Sequence, residues 1–126
     1  MTDRVSEYRT FRERMNERIR EQGNLQINRF FALDGRIYDE GALPVATKEL
    51  LGLVASLVLR CDDCVSWHIL GCRESGLGDD EIFEALSIGL VVGGSITIPH
   101  LRRAVDFLDE VNRDEAGGDE VLRDDE

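Results

Sequence analysis

Between Glu49 and His68 the chain reads ELLGLVASLVLRCDDCVSWH, and the first half of that stretch constrains the fold more than any other part of the sequence. Leu50, Leu51, Leu53, Val54, Leu57, Val58 and Leu59 give a helix over about 46 to 59 with almost no polar face, so it must be buried on most of its sides. Pro44 marks its entry. A break near Arg60 to Asp62 leads into a further helix, about 62 to 75, ended by Ser75-Gly76. Two helices separated by so short a break predict an antiparallel hairpin that reverses near residue 61.

The rest of the chain also reads as helix. Val5, Tyr8, Phe11, Met15 and Ile19 recur at three- and four-residue steps through a charged segment, 3 to 21, closed by Gly23. That narrow seam suits packing on the chain's own body or on a neighbouring subunit. Residues 24 to 40 carry a shorter pattern around Ile27, Phe30, Phe31 and Leu33, interrupted by the turn signal Asp34-Gly35 and closed by Gly41. Asp79, Asp80 and Glu81 suit the positive end of a fifth helix that carries Ile82, Phe83, Leu86, Leu90 and Val91 and stops at Gly93-Gly94. The last helix, about 97 to 110, has Pro99 in its first turn. Beyond Asn112 the composition turns acidic, with seven carboxylates against one arginine from Asp114 to Glu126, which predicts disorder. The expected fold class is therefore all-α, a single domain of about six helices divided into an N-terminal amphipathic helix (1–23), a helical core (24–112) and an acidic tail (113–126).

Composition narrows the function. A chain of 126 residues is long enough to fold without disulfide staples, and its three cysteines are an odd number. With a polar start that has no apolar signal region, this points to a reducing cytoplasm and to cysteines kept for reactivity or metal. The apolar runs Leu50–Leu59 and Ala85–Ile98 are too short to span a bilayer. A formal charge of −11, from 26 acidic and 15 basic residues, disfavours nucleic acid and anionic membrane as partners. Lys48 is the single lysine.

The chemistry concentrates in Glu49, Cys61, Cys64 and His68. A Cys-x-x-Cys where a loop enters a helix meets free N–H groups and the positive end of the helix dipole, which stabilise a thiolate. Cys61 sits at that entry, Cys64 lies close enough to close a disulfide, and His68 shares a helical face with Cys64 at i+4. Counting back from the reversal puts Glu49 about four residues deeper than His68, or about 6 Å of rise. A glutamate side chain, alone or through one water, spans that. The implied relay runs Glu49, His68, Cys64, Cys61. A metal reading competes, because Cys61, Cys64, His68 and Cys72 form C-x2-C-x3-H-x3-C, but about 12 Å along a continuous helix separates Cys64 from Cys72, too far for one zinc ion to bind both. Cys72 reads as a small core residue, His100 as a helix-start residue that lines the site or caps a carbonyl, and Trp67 as core or subunit contact.

Glutamate, eleven residues, cysteine, two residues, cysteine, three residues, histidine resembles the active-site pattern of the alkylhydroperoxidase D (AhpD-like) branch of the carboxymuconolactone decarboxylase family. The resemblance extends over roughly residues 25 to 110, through the Gly76 loop, the Asp79–Glu81 helix start and the Gly93-Gly94 pair. It implies an all-α fold, assembly into trimers or hexamers, no bound cofactor, and a thiol peroxidase or disulfide reductase activity worked by Glu49, Cys61, Cys64 and His68; the absence of metal is expected from the helical spacing. The expected partners are a hydroperoxide or disulfide substrate and a thiol donor such as a lipoyl protein or thioredoxin. Two alternatives stand beside it: a lactone-type decarboxylase using His68 and Glu49 as acid and base, and a non-enzymatic oligomer that senses redox state. One departure matters. Asp62-Asp63 fills the gap between the cysteines where the family's best-known peroxidases carry a histidine, and two carboxylates there oppose the helix dipole.

Overall fold

The computed structural model describes the backbone of residues 4–125 and the side chains of residues 4–116. Among the described residues six α-helices follow one another: α1 (Arg4–Glu21), α2 (Leu25–Ile37), α3 (Val45–Val58), α4 (Asp62–Glu74), α5 (Asp79–Gly93) and α6 (Ile98–Asp125), with a 3₁₀ turn at Ser95–Thr97 before the last. The all-α architecture and the central hairpin expected from the sequence are both present. Helix α3 packs along α4 and α5, α4 packs against α6, and α1 lies on α6. Leu53 and Leu57 of α3, Ile69 of α4, Ile82 and Leu86 of α5 and Leu108 of α6 meet in the core, and Val5 joins them from α1.

The α3–α4 reversal is built from helix-end chemistry. Arg60 takes a left-handed conformation, φ 61°, and the Cys61 N–H donates back to the Ser56 carbonyl at 3.0 Å, satisfying a carbonyl that α3 would otherwise leave open. At the start of α5 the Glu81 carboxylate accepts from the Gly78 N–H at 2.9 Å. Gly94, φ 80°, ends α5 at the expected glycine pair.

Two boundaries differ from the sequence reading. Helix α2 runs unbroken through Asp34-Gly35, and Gly35 stays out of the left-handed region that an Asp-Gly hairpin turn uses. Its start is fixed by Asn24, whose Oδ1 accepts from the Ile27 N–H at 3.0 Å. Helix α6 does not stop near residue 110. Asn112 Nδ2 donates to Asp79 at 2.9 Å and Arg73 Nη2 pairs with Glu115 at 2.6 Å, so long-range polar contacts hold the first turn of the acidic stretch whose composition predicts disorder. Side chains beyond Ala116 lie outside the described residues.

Helices α3 and α5 leave apolar surface uncovered. Leu51, Leu59, Ile88, Val91 and Val92 are each more than half exposed, and α3 and α5 enclose a groove of ≈ 750 Å³ lined almost wholly by aliphatic side chains. No described helix is long and apolar enough to cross a membrane.

Candidate active site

Cys61 is the N-cap of α4. Its Sγ accepts from the Cys64 N–H at 3.2 Å, and the two sulfurs are joined as a disulfide with Cα atoms 5.3 Å apart. Both cysteines are half-buried at the positive end of the helix, where a thiolate released by reduction meets the Cys64 N–H and the helix dipole.

One turn inside, His68 and Glu49 are both buried and bond directly: Nδ1 donates to the Glu49 Oε1 at 2.8 Å. No water is needed to bridge them. With Nδ1–H committed to the carboxylate, Nε2 of the neutral ring is an acceptor, and it faces the Tyr38 hydroxyl at 3.3 Å. Tyr38 caps the end of α2, and burial, with Asp34 and Glu49 adding to it, raises its phenol above the ordinary tyrosine value. The histidine thus sits between a carboxylate and a phenol. Nothing in the sequence pattern marks Tyr38 as a partner of this histidine, or Lys48 as the residue that holds the backbone on both sides of that tyrosine. Lys48 Nζ donates to the carbonyls of Ile37 and Asp39 at 2.8 and 2.7 Å, gripping the backbone on both sides of Tyr38.

Two glycines make room for the buried pair. A Cβ at Gly52 would lie 2.5 Å from His68 Cε1, and a Cβ at Gly71 would fall inside the Glu49 carboxylate. Gly52 follows Glu49 by three residues and Gly71 follows His68 by three, so each helix places a gap on the same face as its polar residue and opposite its partner's. Glycine inside a helix is unfavourable by about 1 kcal/mol relative to alanine. Its presence at i+3 from both site residues is the signal the sequence offers.

These positions fall within the span, residues 27–107, that matches the model of the carboxymuconolactone decarboxylase family. The chain belongs to that family. A Thermotoga maritima structure, described as a family protein possibly involved in the antioxidative response, is 54% identical with TM-score 0.85 over 89% of this chain and 95% of that one. An apo family structure from Legionella pneumophila, 20% identical and covering 86% of this chain and 97% of that one, shares the fold at TM-score 0.78. By sequence, an uncharacterized protein of the Paracoccus denitrificans cox locus is 29% identical over 83 residues, 66% of this chain and 75% of that protein.

The remaining chemistry-bearing residues of this carboxymuconolactone decarboxylase family member fall into place around the pair. Cys72 is fully buried, and burial, with Glu49 adding to it, pushes its thiol up to about 12. It is a core residue with no thiolate character at neutral pH. Trp67 is partly exposed with the Arg12 guanidinium stacked 3.5 Å over its ring, so α1 covers it. The Tyr8 hydroxyl donates to the Asp63 carbonyl at 2.9 Å, a second link from α1 to the first turn of α4. His100 does not cap a carbonyl; its Nδ1 donates to Asp62 Oδ1 at 2.7 Å. A cavity of ≈ 460 Å³ opens between α1 and α2, with Phe30, Phe31 and Trp67 as apolar wall, Arg12 and Arg20 as cationic wall, and Tyr38 and Glu49 among its lining.

Proposed function

We propose that this protein is a thiol-dependent oxidoreductase in which the Cys61–Cys64 dithiol reduces an organic hydroperoxide or a disulfide, with Glu49 and His68 moving the protons. The observation that carries the reading is a vicinal disulfide at a helix N-terminus one turn from a buried carboxylate–imidazole pair. The antioxidative description of the Thermotoga maritima relative supports it. With a hydroperoxide ROOH, the Cys61 thiolate attacks the terminal oxygen, the O–O bond breaks, and the leaving RO⁻ takes a proton from the relay to give ROH. Cys64, deprotonated toward His68, then attacks the sulfur of the Cys61 sulfenic acid. Hydroxide leaves, is protonated to water, and the disulfide forms. Two thiols of a donor return the protein to the dithiol.

In a coupled assay, oxidised protein is expected to be re-reduced by dihydrolipoamide or by reduced thioredoxin, and turnover to require both cysteines. Failure with both donors and with glutathione would reject the dithiol cycle. A second reading has its own observation. The cavity is lined by Tyr38 and Glu49 but by neither cysteine, which favours acid–base chemistry of the lactone-decarboxylase type on an organic acid. The doubly substituted Cys61→Ser, Cys64→Ser protein retains full activity under that reading and none under the first.

We also propose a homo-oligomer, a trimer or hexamer as the resemblance implies, which covers the aliphatic face of α3 and α5. Exposed side chains such as Val91, 82% accessible, and Leu59, 77%, gain from burial about 25 cal/mol per Å². Light scattering at micromolar concentration is expected to give a multiple of the 14.2 kDa chain, and Val91→Glu to lower it. A monomer mass for the unaltered protein overturns the assembly.

A further inference from the structure

The two carboxylates between the cysteines are not equivalent. Asp63 is exposed, and its backbone carbonyl is taken by Tyr8. Asp62, at the first helical position of α4 and next to Cys61, is held by α6: His100 Nδ1 bonds Oδ1 at 2.7 Å and Arg103 Nη1 bonds Oδ2 at 3.2 Å. One donor is assigned to each carboxylate oxygen. His100 is itself mostly buried, with its side chain 21% accessible, while Arg103 is exposed.

A free carboxylate beside a thiol destabilises the thiolate by like-charge repulsion, whereas a carboxylate whose oxygens are engaged by an imidazole and a guanidinium projects much less negative field. We propose that His100 and Arg103 are positioning residues for the redox pair: they draw the Asp62 charge toward α6, leaving the α4 N-terminus free to stabilise the Cys61 thiolate. The charged and titratable groups tied to the first turn of α4 are its own Asp62 and Asp63, His100 and Arg103 from α6 and Tyr8 from α1, with Arg60 in the preceding turn. The clamp sets two donors of α6 against the opposing charge beside the cysteine. His100, which follows Pro99 in the first turn of α6, thus brings an imidazole to the gap between the cysteines from another helix. The inference rests on the dithiol reading only in taking the Cys61 thiolate as the working species.

The test is the iodoacetamide alkylation rate against pH for reduced protein in a Cys64→Ser background. There Cys61 is the one reactive thiol, because the Cys72 thiol is buried and pushed up to about 12. His100→Ala is expected to move the midpoint for Cys61 up by about one pH unit, a roughly tenfold slower reaction below the midpoint. Arg103→Ala, at an exposed position, is expected to move it the same way by less, and serves if His100→Ala fails to fold. Asp62→Asn added to either variant is expected to return the midpoint to the wild-type value or below, a rescue that a merely structural histidine does not predict. Equal midpoints for wild type, His100→Ala and Arg103→Ala, or no rescue by Asp62→Asn, overturn the proposal. Alkylation needs neither hydroperoxide nor donor, so a shifted midpoint beside an unaltered protein that turns over neither hydroperoxide nor disulfide rejects the proposed function and leaves this inference standing.

Discussion

Cys61→Ser is expected to lower turnover by about three orders of magnitude or more, because the attacking sulfur is gone and serine's hydroxyl is a far weaker nucleophile at neutral pH. Cys64→Ser is expected to be equally inactive for a different reason. It keeps the thiol at the N-cap of α4 but lacks the sulfur that resolves it, so the protein should accumulate as a mixed disulfide with its substrate or donor. Intact mass after reaction with a small disulfide separates the two: an adduct on Cys64→Ser, and only slow labelling on Cys61→Ser. Glu49→Gln and His68→Gln should both keep the fold and shift alkylation of the cysteine pair to higher pH, since the base that accepts the proton is weakened or removed. If Cys64 alkylates faster than Cys61, or if both relay variants match wild type, the order of the two thiols and the role of the pair are wrong.

Gly71→Ala is expected to be among the most damaging single-methyl additions in the chain. The new Cβ would occupy the place of the Glu49 carboxylate, which sits deep between α3 and α4 and cannot swing away without leaving His68. Separating a buried pair leaves an uncompensated charge, at about 3 kcal/mol or more. That is a large share of the roughly 5–15 kcal/mol that holds a domain together. Urea unfolding should show the loss. In a Glu49→Ala background the same glycine substitution should be nearly silent, since the methyl then fills space the carboxylate has vacated. A Gly71→Ala protein as stable and as active as wild type would mean that the Glu49 carboxylate is not seated against that glycine.

Much of this site is legible in the sequence itself. The apolar run from Leu50 to Leu59 demands a buried helix, the cysteine pair suits a helix start, and the hairpin between them brings Glu49 to His68 by counting alone. What escapes such reading comes from elements that local pattern does not connect. Tyr38 reaches His68 from a helix thirty residues earlier, and no periodicity in α2 announces which of its residues will point inward. Lys48 looks like one polar residue in a helix's first turn, although its value lies in the reach of a long flexible stem to carbonyls on another element. His100 stands out as a helix-start residue, yet its partner on α4 is thirty-eight positions away. Asp34-Gly35 misleads in the opposite sense, because a dipeptide that permits a turn does not force one once the helix has a firm start at Asn24. Composition after Asn112 is also blind to the pairing of Glu115 with Arg73, which bears on the first turn of the acidic stretch alone.

The left-handed residue at the hairpin turn also sets a rule about chain length. Gly71 receives Glu49 and Gly52 receives His68, and both pairings are centred on position 60, where Arg60 makes the reversal. One added or lost residue between Leu59 and Asp62 would turn α4 by about 100° relative to α3 and swing Glu49 and His68 off their glycines together. Insertions can be absorbed between α1 and α2, or after Ala116, without touching that register. The turn between α3 and α4 has no such freedom, so among chains built this way variation in length should collect at those other places and never at the hinge between the carboxylate and the cysteines.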